Sequence, residues 1–135
     1  MILDEIPIGL EGIYSVLIEE EHVPFHLRGS KTEVVSTPDL VRFMERTAFE
    51  SLIPFLPDKM TSVGTKVSLN HLSGTPKGMK ITVKTKLIER DRRRCLFTAE
   101  IFDEYEKVAE GTNERFLIIT NRSNVKLMKK KEMIS

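Results

Sequence analysis

The spacing of apolar positions changes twice along this chain, and each change marks a different kind of element. In "GIYSVLIEE", residues 12 to 20, Ile13 and Ser15 fall on one side and Tyr14, Val16 and Ile18 on the other, the period of a strand. Residues 20 to 36 have no period. Pro24 and Gly29, with Phe25 and Leu27 scattered among charges, predict a long loop or a broken short element there. From residue 37 the spacing turns helical. "STPD" offers Ser36 or Thr37 as the cap, Pro38 for the first turn and Asp39 where negative charge is favoured. Pro54 or Pro57 predicts the stop. At about 100° per residue, Val41, Glu45, Ala48 and Leu52 align as the most buried stripe, flanked by Leu40 and Met44. The polar arc of Arg42, Arg46 and Glu50 is interrupted by Phe43, Phe49 and Ile53, so this helix is expected to be surrounded by other structure.

Beyond the helix the period returns to two. "TKVSLNHL" places Val67, Leu69 and His71 on one face, and "MKITVKTKLI" alternates Ile81, Val83, Thr85 and Leu87 with outward lysines and Thr82. "SGTPKG" between them reads as a turn. "CLFTAEIF" and "VAEGTNERFLIIT" give two more strands, with "ERDRRR" and "DEYEK" as connections. The order is strand, helix, then four strands. One antiparallel sheet of about five strands curling around one long helix satisfies it, so the fold class is α+β.

Composition narrows the setting. A length of 135 residues suits one domain over 1–135, ending in a basic tail at about 124–135. Apolar residues at 40% and charged at 30%, with net charge +1, are ordinary for a folded domain and give no hint of nucleic acid. The acidic opening "MILDEIPIGL" is unlike a secretory signal and no run is long enough to span a membrane, so a cytoplasmic location is expected. The single cysteine, Cys95, alternates with Phe97 and Ala99 as a small buried hydrophobe, and no Cys or His cluster has metal-ligand spacing.

The candidate chemistry lies between helix and sheet. Glu45 in the helix stripe and His71 on the inner face of a strand can meet there, within a chain or across an interface. Burial and pairing tune such a couple toward acid and base work. Thr37 adds a hydroxyl at a helix N-terminus, where free N–H groups favour negative charge. Together they suit acyl transfer or hydrolysis. Each has a plainer role: Thr37 as a cap, His71 as a hydrogen-bonded core residue, Glu45 turned outward or paired with an arginine.

These residues bring a family into view. The segment from Thr37 to Val83 resembles the fluoroacetyl-CoA thioesterase-like branch of the hotdog-fold thioesterases, in which a Thr, a Glu eight residues on and a His twenty-six beyond it form the catalytic set. "VGTKVSLNHLSGTPKGMKITV" is similar to that branch's Gly-Thr, His and Thr-Pro-x-Gly run. "EGTNERFLI" resembles its late Gly-Thr-His-Glu-Arg strand, with Asn113 in the His position. The stretch before Thr37 departs from the aromatic lid segment, so fluoroacetyl specificity is not implied.

The resemblance implies a hotdog fold and an acyl-CoA thioesterase acting on a small or medium acyl group, working as a homodimer with the site at the subunit boundary. Glu45 would be the nucleophile or the base for water, His71 the proton donor to the leaving thiolate, and Thr37 a positioning hydroxyl. No metal or organic cofactor is implied, since coenzyme A belongs to the substrate. Oxyanion donors are expected at the helix N-terminus or near Gly64, which otherwise bends the chain ahead of the strand. Arg115 shapes the site or forms a cross-strand ion pair, and Phe25, with His26 and Leu27, lines the pocket or holds the loop. Arg92, Arg93 and Arg94 reach coenzyme phosphates or stay solvated. The rival functions are a hydratase or dehydratase of acyl thioesters, whose usual motif is missing, and a non-catalytic acyl-CoA binding or sensor module.

Overall fold

The computed structural model describes residues 5–134. It contains β1 (Glu11–Leu17), α1 (Thr37–Leu52), β2 (Met60–His71), β3 (Lys80–Asp91), β4 (Arg94–Phe102), β5 (Lys107–Ile119) and α2 (Val125–Glu132), with short 3-10 turns at Glu20–His22, Phe25–Leu27 and Ile53–Phe55. The five strands form one antiparallel sheet in the order β1-β3-β4-β5-β2. The chain leaves one edge at β1, carries α1 across the inner face, and enters the other edge at β2. The remaining strands then fill the middle.

Helix α1 starts where the cap signal predicts. Ser36, not Thr37, is the cap: its hydroxyl accepts from the Asp39 N–H at 3.1 Å and donates to the Asp39 carboxylate at 2.5 Å. Leu40, Met44, Ala48 and Leu52 are fully buried, whereas Val41 and Glu45 are only partly so. The stripe expected to be deepest therefore holds at Ala48 and Leu52, whereas its first half, Val41 and Glu45, is the rim of a buried face displaced there by one residue. The interruption of the polar arc by Phe43 holds, because Phe43 is buried between Tyr14 and His22. On the sheet, Ile81, Val83, Thr85 and Leu87 point inward as the alternation requires, while Lys80, Lys84 and Lys86 face solvent. Each large aliphatic group buried between the layers contributes about 1.5–3 kcal/mol.

The loop before α1 is tied down at its end. Val34 bridges Pro76, and the Val35 N–H donates to the Thr75 carbonyl at 2.9 Å. Cys95 is fully buried, and desolvation pushes its thiol up, which suits packing rather than nucleophilic work. Residues 125–132, within the expected basic tail, form α2, capped by the Asn124 side chain accepting from the Leu127 N–H.

Strand β2 is longer than its alternation suggests and carries a break. Gly64 pairs with Arg115 and Lys66 with Glu114, leaving Thr65 as the extra residue of a bulge. Before the bulge the even-numbered Met60 and Ser62 face inward; after it the odd-numbered Leu69 does. Gly64 is thus inside the strand, not a bend ahead of it, and it shares the inner face with His71 only because the bulge reverses the parity. Opposite Leu69, Gly111 lets the two backbones close up, since a Cβ there would lie 2.1 Å from the Ser68 carbonyl oxygen. Gly111→Ala should therefore destabilise the protein by about 3 kcal/mol, the upper end for overpacking. Urea denaturation measures it, and an unchanged midpoint would contradict the close approach.

Candidate active site

Two small constellations sit along the same flank of α1. The first joins the start of the helix to the end of β2: Thr37 Oγ1 lies 2.8 Å from His71 Nδ1. With Ser36 acting as the cap, the Thr37 hydroxyl is released from that duty. The other imidazole nitrogen, His71 Nε2, is buried and has no hydrogen-bond partner among the described residues. A buried polar atom left unpaired is costly, so this position favours a ligand or water group. When the Thr37 hydroxyl donates to Nδ1, Nε2 carries the proton and becomes a donor.

The first turn of α1 offers fewer free donors than a helix start usually does. Pro38 has no N–H, the Asp39 N–H is taken by the Ser36 hydroxyl, and the Leu40 N–H by the Ser36 carbonyl at 3.2 Å. The Thr37 N–H alone keeps no described partner in that turn.

The second constellation surrounds Glu45. Its side chain is 37% exposed, so it occupies a rim rather than a core position. Arg115 Nη1 donates to Glu45 Oε2 at 3.2 Å. Of the plain readings open to Glu45, pairing with an arginine is the one observed, and Arg115 reaches across to the helix instead of forming a cross-strand ion pair. Burial pushes the Arg115 guanidinium down from its ordinary range, and the negative charge of Glu45 opposes that shift. Gly64 forms the floor: a Cβ there would sit 2.0 Å from Glu45 Oε2 and 3.3 Å from Arg115 Nη1. Only a residue without a side chain lets the carboxylate lie on the strand. Glu45 Oε1 has no described partner and stays open.

Glu45 and His71, expected as candidates to meet, make no described hydrogen bond to each other. Each is held by its own partner, Arg115 for one and Thr37 for the other. Phe25 joins neither group: it is 85% exposed, with the Arg28 guanidinium 5.7 Å from its ring centre. In the β3–β4 hairpin, Arg94 is bound to Glu114 at 2.6 Å and Glu89 at 3.1 Å. Sequence reasoning missed Ser62 altogether and noted Asn113 only for standing in the His position of the late strand motif. Ser62 accepts from Arg115 Nε at 2.8 Å, and Asn113 accepts from Arg115 Nη1 at 3.1 Å. The signal for Asn113 was its inward register beside Arg115; Ser62 had none, because the bulge hides its face.

Residues 18–121 match the family described as fluoroacetyl-CoA-specific thioesterase, FlK. A fluoroacetyl-CoA thioesterase of Streptantibioticus cattleyicolor is 30% identical over 98 residues, covering 73% of this chain and 70% of that protein. Among solved structures, a hypothetical protein of Thermus thermophilus, a thioesterase superfamily member, superposes with a TM-score of 0.85 at 22% identity over 96% of both chains. A variant of FlK in complex with acetyl-CoA superposes with a TM-score of 0.83 at 24% identity, covering 93% of this chain and 98% of that one. The architecture of one long helix on a five-stranded sheet, the length of the match and the level of identity agree: the chain is a hotdog-fold thioester hydrolase and belongs to the fluoroacetyl-CoA-specific thioesterase family.

Proposed function

We propose that this protein hydrolyses a small or medium acyl-CoA to the free acid and coenzyme A, at a site made from Thr37, Glu45 and His71 and closed by a second copy of the chain. The observation that carries this reading is the Glu45 carboxylate: one oxygen is braced by Arg115 over Gly64, and the other is open on the flank of the helix that begins at the Thr37–His71 pair. A carboxylate serving only structure has no need of a bare glycine floor.

The roles follow from what each atom is free to do. Glu45 Oε1 supplies the attacking or proton-accepting oxygen, so that water ultimately adds at the thioester carbonyl. His71, oriented through Nδ1 by Thr37, gives its Nε2 proton to the departing thiolate as the C–S bond breaks, and a proton of the added water replaces it, so the water's two hydrogens end on the thiol and the acid. Negative charge on the carbonyl oxygen falls to backbone donors, of which the Thr37 N–H is a candidate with no described partner. The acyl group is not assigned to fluoroacetyl: that specificity belongs to the relatives, and the exposed Phe25 offers no lid within one protomer.

The second copy is inferred from what one chain leaves uncovered. Strand β2 ends the sheet, and its outer edge has no neighbour in the strand order. Val63 and Val67 on it are 40% and 44% exposed, and the flank of α1 bearing Glu45 is open beside it. A long edge strand of this kind invites pairing with another chain. Joining two copies there buries the apolar edge and encloses the carboxylate.

Three outcomes are expected. Wild type should release free thiol from members of a panel of short, branched, aromatic and medium-chain acyl-CoAs, and Glu45→Ala should lower kcat by about 10²–10⁴-fold while remaining folded. No turnover across the panel, with tight binding, would instead mark a binding module. Gly64→Ala should keep its stability, because the end of a flexible side chain is what must move, yet lose about 100-fold in turnover by displacing the carboxylate. Sedimentation equilibrium should give twice the 15.5 kDa protomer mass, reduced by Val67→Asp at the β2 edge.

A further inference from the structure

The Arg115 guanidinium has five N–H donors, and four acceptors claim four of them. Nε donates to Ser62 Oγ at 2.8 Å, Nη2 to the Ser62 carbonyl at 3.2 Å, and Nη1 to both Asn113 Oδ1 at 3.1 Å and Glu45 Oε2 at 3.2 Å. Nη1 carries two hydrogens at fixed angles in the guanidinium plane. Engaging one with Asn113 sets the direction of the other. That direction is toward Glu45.

Asn113 does a second thing with its other end. Its Nδ2 donates to the Lys66 carbonyl at 3.1 Å and to the Glu114 carbonyl at 3.3 Å, where the β2 bulge rejoins β5. The side chain is completely buried and both of its polar atoms are paired. One amide therefore fixes the guanidinium above the Gly64 floor and the backbone that forms the floor. No single-function acceptor does both, because a carboxylate has no hydrogens for the Lys66 carbonyl and a hydroxyl does not span the two.

Charge completes the case. An amide accepts from Arg115 without bringing a second anion, so among the described residues Glu45 remains the only carboxylate that the buried guanidinium meets. We infer that Asn113 is a positioning residue of the hydrolytic site, holding the Glu45 carboxylate in its productive orientation through Arg115 and the Gly64–Lys66 bulge. The inference rests on the reading of Glu45 as the reacting carboxylate.

The test is acyl-CoA turnover with kcat and KM separated, in Asn113→Ala, Asn113→Asp and Glu45→Ala, together with rescue of Arg115→Ala by guanidinium chloride below denaturing concentration. Both Asn113 variants should lose about 10- to 100-fold in kcat, the cost of a carboxylate misplaced by an ångström or so, with KM little changed. Asn113→Asp keeps an acceptor of the same size, so its loss reports competition for the guanidinium. Guanidinium should restore turnover to Arg115→Ala and fail to do so in Arg115→Ala/Asn113→Ala. The rescue is a ratio within each protein, so a reduced folded fraction cancels. A wild-type kcat in Asn113→Ala beside an inactive Glu45→Ala, or equal rescue with and without Asn113, overturns the proposal alone. A Glu45→Ala variant as active as wild type overturns the reading beneath it, and the proposal with it.

Discussion

Covering one helix is the constraint that shapes this protein. Helix α1 buries Leu40, Met44, Ala48 and Leu52 along one line and Phe43 and Thr47 beside it, a face too broad for a flat sheet to enclose. The sheet responds by bending, and its irregularities sit where bending is needed: register shifts occur in β2, in β3 and between β4 and β5. At Gly111 the two strands crowd together. The end of β2 then reaches the start of α1, where His71 meets Thr37. Packing and chemistry are thus one problem, since the curvature that closes the core also assembles the hydroxyl–imidazole pair.

The electrostatics follow from where the helix rim lies. A carboxylate in the core would have to be neutralised or fully paired, at a cost of several kcal/mol. Glu45 avoids that by being half-buried, while its partner Arg115 takes the deeper place with its donors bound to Ser62 and Asn113. The buried member of the pair is the one that cannot easily lose its charge. Water reaches the carboxylate, and the guanidinium behind it stays fixed.

Much of this was legible in the residues. The strict alternation through Ile81 to Leu87 and the Ser-Thr-Pro-Asp cap located β3 and α1 because each signal is local and repeated. The depth of Glu45 was misjudged because residues 40, 44, 48 and 52 and residues 41, 45, 48 and 52 share two members, and a turn of one residue decides which line goes under. Thr37 against Ser36 was a similar tie, broken only when His71 supplies a partner for one hydroxyl. The partnership of Glu45 with Arg115 joins residues seventy apart in sequence, and the inward face of Ser62 and Gly64 depends on a backbone irregularity that no side-chain pattern announces. Resemblance to known proteins pointed at Gly64 and Arg115 without saying that they touch the same carboxylate.

The bulge at Thr65 has a consequence for how such a chain can change over time. Thr65 is the unpaired residue, so removing it alone would leave Gly64 opposite Arg115 and Lys66 opposite Glu114, a regular ladder with Leu69 and His71 still inward, whereas removing a paired residue beyond the bulge would send them outward. Thr65, held by its hydroxyl to the Glu114 side chain at 2.8 Å, is a spare letter in the strand. The bulge is thus the one place described in β2 where the strand can lose a residue without exchanging its inner face for its outer one.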